Sequence, residues 1–485
     1  MMRLRTYTIA LYLAAPLLLA WMGWRARRAG GRWDVLSRAR FGCYRHAPDS
    51  RRPVWVHAAS LGEMRAAAPL VTALLAEGYV LLLTFMTATG RAEAERLFQA
   101  ETADGRVTLQ WLPYDFPGAT RRFLAHAQPE VGVLIERELW PNLLAAARRI
   151  GLPMMLASGR LSARSLASGL RAGQVLRQAY AGLTVVHAQT EIDADHLRKA
   201  GAQAVTVSGN LKFDMAAPES QWAQGRALAT ALRRPVVVLA STREGEDAPF
   251  IAAWAAALST CVKSGVQPQL NCGALGESLD SLAEAGLEAE ARSHFTVPMP
   301  AVRPLLLLVP RHPQRFEAAA RLLNEAGLSF RRRSEMGAWD EGEGLRLRDL
   351  PNLDVILGDS LGEMALFYGA GTVAIVAGSF APLGGQNIIE ASAAGLPVIV
   401  GPHTRNFAQA VEDAAAAGAL RRVETPAQAV ALALQWLEDA AARQACGEAG
   451  RRWVQSHAGT TRRLVEAISA LCEMAGGYRD GAGQG

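Results

Sequence analysis

The stretch VWVHAASLGEMRAAAPLVTALLAEGYVLLLTF, Val54 to Phe85, holds two short hydrophobic runs around one Ala- and Leu-rich segment. The runs, Val54–Ala58 and Val80–Phe85, are continuously apolar rather than alternating, as expected of strands buried on both faces. Between them, Glu63–Glu77 reads as a helix. This strand–helix–strand unit then repeats: further strands are expected at Val107–Leu112, Val131–Ile135, Met154–Ala157, Thr184–His187 and Val205–Ser208. Short buried strands separated by helices predict a parallel, doubly wound sheet.

The pattern pauses between Pro218 and Pro235, then restarts with strands expected at Val236–Ala240, Leu305–Val309, Val355–Leu357, Val373–Val376 and Pro397–Val400. Residues 403–475 read as helices. At 485 residues the chain is too long for one ordinary core. The expected fold class is therefore α/β, with two Rossmann-like domains facing a cleft. The divisions are 33–218, 232–425 and a helical tail over 426–475. One stretch fits poorly: residues 255–303 show no clear strand, exceed ordinary connection lengths and read as an insertion, with one helix expected over Ser278–Arg292.

Ahead of the first domain, Thr6 to Trp24 carries no charge. As a helix, these residues would extend roughly 28 Å, close to the hydrocarbon thickness of a bilayer. Tyr7, Trp21 and Trp24 lie near its ends, and Arg25, Arg27, Arg28 and Arg32 follow it. Residues 1–30 are expected to be a retained membrane anchor with the body on the cytoplasmic side. The segment lacks the small-residue cleavage site of a signal peptide. Spanning the bilayer and lying in its interface both remain open.

Five cysteines without a CxxC pair, and a net charge of +6, point to a globular chain with free thiols that would suit an anionic surface or substrate. No GxGxxG follows the first strand, no GxxxxGK[ST] or GxSxG occurs, and no cluster has metal-ligand spacing. These absences disfavour dinucleotide oxidoreductases, P-loop enzymes and serine hydrolases of the nucleophile-elbow type.

Chemistry is expected where loops leave the carboxyl ends of the strands. His57-Ala-Ala-Ser60-Leu-Gly62-Glu63 is the first such loop. Its carboxylate could serve as a general base. Ser60 and Glu63 also have the spacing of a helix capping box, and on spacing alone the cap is favoured. Glu136-Arg137-Glu138 follows the fourth strand. Gly209-Asn210-Leu211-Lys212-Phe213-Asp214 follows the seventh, where Lys212 could neutralise a phosphate or simply face solvent. The second half offers Pro310-Arg311-His312-Pro313, Gly358–Glu363, Gly378–Glu390 and Gly401–Phe407. Each can be a tight turn with a helix cap, but their shared position after strands makes them phosphate-binding candidates.

The ordered set HAASLGE, IERELWPN, GRLSARS, GNLKFD, VPRHPQRF, GDSLGEM, GGQNIIE and GPHTRNF, behind an N-terminal anchor, resembles the Kdo (3-deoxy-D-manno-octulosonic acid) transferases of lipopolysaccharide assembly over nearly the whole chain. The resemblance implies a GT-B fold, a CMP-Kdo donor, a lipid A precursor as acceptor, and a place at the bacterial inner membrane in contact with its lipid. It implies no cofactor and no metal, and nucleic acid is not among the expected partners. It places the general base on Glu63 and transition-state stabilisation on Glu136 and Lys212. CMP binding falls on Pro310, Arg311, Leu361, Gly362, Glu363, Asn387, Ile388, Ile389 and Glu390. The chain departs from the family pattern at Arg243 and Gln386, where histidines are usual, and at Arg137, where threonine is commoner. The alternatives are a GT-B enzyme using a UDP-sugar and a lipid acceptor, and a membrane-anchored nucleotide-binding module without catalysis.

Overall fold

A computed structural model describes residues 3–29, 33–44, 52–215, 219–263, 300, 302–336 and 353–480. The chain forms two compact units. The first comprises residues 1–215 and 457–485, the second residues 216–456.

The first unit is built on seven parallel strands: β1 (Val54–His57), β2 (Leu81–Phe85), β3 (Val107–Trp111), β4 (Val131–Ile135), β5 (Met154–Gly159), β6 (Val185–Ala188) and β7 (Val205–Val207), in the order β3-β2-β1-β4-β5-β6-β7. Every residue of β1, β2, β4 and β5 is buried, as their continuous apolar runs require. Strand order reverses between β1 and β4. Their carboxyl ends therefore flank the switch point at which open α/β sheets bind ligands. Helix α2 (Leu61–Ala76) covers one face through Met64, Ala67, Leu70, Val71 and Leu74. The final helix, Thr460–Asp480, joins the same core through Leu464, Ile468 and Leu471. Truncating one of these leucines to Ala should cost about 2–5 kcal/mol.

The second unit repeats the plan with β8 (Val236–Thr242), β9 (Leu305–Pro310), β10 (Phe330–Arg332), β11 (Val355–Leu357), β12 (Val373–Val376), β13 (Val398–Val400) and β14 (Leu420–Arg422). All are parallel, in the order β10-β11-β9-β8-β12-β13-β14, and the switch point lies between β8 and β12. Two strands were not expected. β14 interrupts the stretch read as all helical, and β10 precedes β11. Both are three-residue edge strands rich in arginine. An edge strand needs neither two apolar faces nor length, so the hydrophobic pattern does not reveal it.

Helix α1 (Leu4–Ala29) contains Pro16 and is apolar and long enough to cross a membrane. Within the expected insertion over 255–303, the chain continues the helix Asp247–Lys263. Residues 264–299 and 301, including the helix expected over 278–292, lie outside the described residues.

Candidate active site

Three acidic residues of the first unit, Glu63, Glu136 and Glu138, collect at its switch point. His57 ends β1 and is completely buried. Its Nδ1 lies 2.9 Å from Thr84 Oγ1 and 3.0 Å from the Thr84 carbonyl oxygen. Trp55 Nε1 donates to the same hydroxyl at 2.8 Å. The ring's other nitrogen has no hydrogen-bond partner and faces Glu138 Oε2 at 3.6 Å. That distance exceeds a hydrogen bond.

Glu63 stands at the third position of α2, and its Oε2 accepts the Ser60 backbone N–H at 3.1 Å. The capping position expected from the spacing is therefore real. Burial pushes the Glu63 carboxyl up to about 7; Glu138 and Glu136 add to this, while the N–H groups of Ser60 and Ala59 oppose it. A carboxyl with this value exchanges its proton near neutrality, which is what a general base needs. Capping and proton transfer use the same oxygens, so the two roles are compatible.

Glu136 follows β4 with φ at +60°, a left-handed conformation that non-glycine residues seldom adopt. It is held there by its N–H on Ala157 O at 3.0 Å and its carbonyl on Arg160 N at 3.1 Å. Its buried Oε1 accepts Lys212 Nζ at 2.6 Å. Lys212 sits on a short 3₁₀ turn, Leu211–Asp214, started by Asn210, whose side-chain oxygen accepts the Lys212 N–H at 3.0 Å. At the end of that turn Asp214 accepts the N–H groups of Gly459 and Thr461, capping the final helix. The structure thus brings Glu63, Glu136 and Lys212 to one sheet edge, with His57 and Glu138 beside them.

At the second switch point one carboxylate joins both flanking loops. Glu246, buried after β8, accepts the N–H groups of Arg243 at 2.8 Å, Gly378 at 2.7 Å, Phe380 at 2.9 Å and Ala381 at 3.1 Å. Four donors on one carboxylate make the β8 and β12 loops a single rigid frame. Around it stand three arginines. Arg311 follows β9, with its N–H on Thr242 O at 3.0 Å. His312 is held below its ordinary value by burial first, then by Arg243 and Arg311. Arg315 pairs with the buried Asp247. A cluster of guanidinium groups past strand ends suits a phosphate.

The remaining candidates fall into distinct environments. Pro310 closes β9 and is buried. Leu361 is exposed, and Gly362 adopts φ of +85° while its carbonyl accepts Gln221 Nε2 at 2.9 Å. Glu363 is paired with Arg333 at 2.7 Å and accepts Ser360 Oγ. Asn387 Oδ1 accepts the Ile389 N–H at 3.1 Å, and its amide donates to Glu390 at 2.9 Å. Ile388 and Ile389 are buried, so their side chains belong to the core and only their backbone remains to meet a ligand. Gly384 has φ of +94°, and a Cβ there would come within 2.5 Å of the Asn406 amide. Only glycine fits this turn. Tyr368, which no motif indicated, is buried with its phenol raised by burial and by nearby Glu390, against an opposing effect of Arg311.

Two parallel sheets, each with polar loops gathered at its switch point, one set acidic and one suited to phosphate, make up the GT-B architecture of many glycosyltransferases. The comparisons with known proteins agree. Residues 37–215 match the family described as 3-deoxy-D-manno-octulosonic-acid transferase (kdotransferase), and residues 349–453 match glycosyl transferases group 1. The 3-deoxy-D-manno-octulosonic acid transferase of Bordetella pertussis is 52% identical over 464 residues, 95% of this chain and 98% of the relative. That of Haemophilus influenzae is 30% identical over 475 residues, 96% and 98% of the two chains. The crystal structure of a glycosyltransferase from Rickettsia africae shares the fold, with a TM-score of 0.52 at 13% identity, covering 87% of this chain and 99% of that one. The chain belongs to the Kdo transferase family.

Proposed function

We propose that this Kdo transferase takes the sugar from CMP-Kdo and attaches it to a hydroxyl of a lipid A precursor at the cytoplasmic face of a bacterial inner membrane, with Glu63 as general base. The observation that carries the catalytic part is the Glu63 carboxyl, buried at the N-terminus of α2 beside the first switch point and raised to about 7.

The chemistry follows from the groups present. The acceptor oxygen forms a bond to the anomeric carbon of Kdo as its proton passes to Glu63. The bond from that carbon to the phosphate oxygen breaks, and its electron pair leaves with CMP. The sugar carries positive charge in the transition state, as in glycoside hydrolysis. Glu136 and Lys212, locked together at 2.6 Å, hold fixed charges at the same sheet edge, where preorganised charge is most effective. In the second unit, Arg311 would meet the CMP phosphate. Pro310, Leu361, Gly362, Glu363 and the backbone from Asn387 through Glu390 would shape the rest of the nucleotide site.

The test is incubation of the purified full-length protein with a lipid A precursor and either CMP-Kdo or a panel of UDP-sugars, followed by mass spectrometry of the lipid. The expected product gains one or more Kdo masses from CMP-Kdo alone. A product formed only from a UDP-sugar would replace this reading with the hexosyltransferase alternative.

A further inference from the structure

Helix α1 presents two different faces along its whole length. One is docked on the first unit. Leu11, Ala15, Leu19 and Met22 pack against Tyr114, Phe116 and Ala119, and Ala26 reaches the main core. Tyr12 stacks on Phe116 with centroids 4.8 Å apart. At the N-terminal end the contact is polar: Tyr7 Oη donates to the buried Asp115 carboxylate at 3.0 Å, and Thr8 Oγ1 donates to Asn142 Oδ1 at 2.9 Å. The other face carries Ile9, Leu13, Leu17, Trp21 and Trp24, all between 51% and 77% exposed.

Docking of this kind and crossing a bilayer exclude each other. A spanning helix has hydrocarbon around its middle, so whatever packs along it must also lie in hydrocarbon. Here that would be the Pro117–Ala127 helix with its exposed Arg121 and Arg122, together with the Asp115 carboxylate. Charged groups and the polar loops joining these helices are too costly there. The exposed stripe, by contrast, is what an interfacial helix needs: apolar side chains on one face and cations at its ends. Arg28 stacks on Trp24 at 4.2 Å and Arg25 on Trp21 at 5.4 Å, which places cation and aromatic ring together where headgroups meet acyl chains.

We infer that α1 lies in the plane of one leaflet of an anionic phospholipid bilayer, docked on the first unit along its length, with Ile9, Leu13, Leu17, Trp21 and Trp24 inserted and its arginines on the headgroups. This rests on the membrane part of the reading above and sharpens it: the helix is a wall of the first unit and not a detached tether. The Asp115 carboxylate that holds Tyr7 also accepts the N–H groups of Asn142 and Leu143 at 3.0 and 2.8 Å. It thereby fixes the start of the helix Pro141–Arg149, just beyond the segment that carries Glu136 and Glu138. Leaflet contact and acidic sheet edge share one frame.

Single spin labels test this, placed at Ile9→Cys, Leu13→Cys, Leu17→Cys and Trp24→Cys in full-length protein with Cys43, Cys261 and Cys272 replaced by Ser. The buried Cys446 and Cys472 stay. In vesicles of phosphatidylethanolamine and phosphatidylglycerol, the relative accessibility to oxygen and a nickel chelate reports depth. All four labels, spread over about 22 Å of helix, should lie at one shallow depth of about 5–10 Å. A depth profile that peaks at Leu13 and Leu17 and falls toward both ends, or labels that stay in water, would overturn the proposal. In spheroplasts, Arg3→Cys in the same background should react with an impermeant maleimide only after lysis; labelling of intact spheroplasts would also overturn it. Neither readout depends on sugar transfer, so failure of the catalytic reading would leave both results standing.

Discussion

The two switch points share one fold and hold their charges differently. Between β1 and β4, three carboxylates crowd together, and burial, reinforced by Glu138 and Glu136, raises the proton affinity of Glu63. Between β8 and β12 stands Glu246, saturated by four backbone N–H groups, with Arg243, Arg311 and Arg315 around it, of which Arg243 and Arg315 pair with Glu244 and Asp247. One edge holds a carboxyl with raised proton affinity; the other is locked by hydrogen bonds and ion pairs. The sheet supplies the place, and the loops decide the chemistry.

The largest expected effect breaks the acidic side alone. Glu63→Gln keeps the side-chain oxygen that accepts the Ser60 N–H but cannot take a proton. Transfer should fall about 10²–10⁴-fold, measured as Kdo-bearing lipid by mass spectrometry, while CMP affinity by calorimetry stays within about twofold. Equal loss of CMP binding would show that the two edges are not separable. The pH profile of the unaltered enzyme sharpens the same point. The base works only when ionised, so turnover should climb with pH and level off above about 7.

Arg311→Ala breaks the positive side. Losing a charge-assisted contact should weaken CMP about 10–100-fold, read by calorimetry. Stability separates the edges further. Lys212→Met strands the buried Glu136 carboxylate and should cost about 3–5 kcal/mol in denaturant unfolding, much of it recovered by adding Glu136→Gln.

A further effect is pH-linked. The fold raises the Glu63 value from 4.5 to about 7, so it favours the protonated form. That contribution is fully present below about 4.5 and is lost as pH rises through 7. Glu63→Gln should therefore match the parent in thermal melts at pH 4.5 and exceed it by up to about 3 kcal/mol at pH 8. No gain at pH 8 would mean that the carboxylate has found compensation elsewhere.

The central strands were legible because burial on both faces writes an unbroken apolar run, as in β1 and β4. The edge strands β10 and β14 were not, since arginines are welcome at a sheet margin. The loops of the site were legible by position, because they follow strands; their contents were legible less evenly. Glu63 reads as a helix cap, and it is one; its burial beside Glu136 and Glu138 is a property of the folded sheet edge. Glu246 gives little local signal, because three of its four donors lie more than a hundred residues away, and Tyr368 gives none, because its burial is a property of the fold. Asp115 could have been suspected from a carboxylate set just before Pro117, but its partners Tyr7, Asn142 and Leu143 are distant in sequence.

The helix Thr460–Asp480 completes the first unit although the whole second unit intervenes. This imposes an order on synthesis. Helix α1 and the first sheet are made early, and then residues 216–456 must be made before Leu464, Ile468 and Leu471 can complete the core. At ordinary elongation rates that interval is roughly 10–50 s. During it, the core shared by α2 and the first sheet lacks Leu464, Ile468 and Leu471. A nascent chain of this kind waits half closed, and the acidic edge, tied through Lys212 and Asp214 to the start of the last helix, reaches its final form only when that helix arrives.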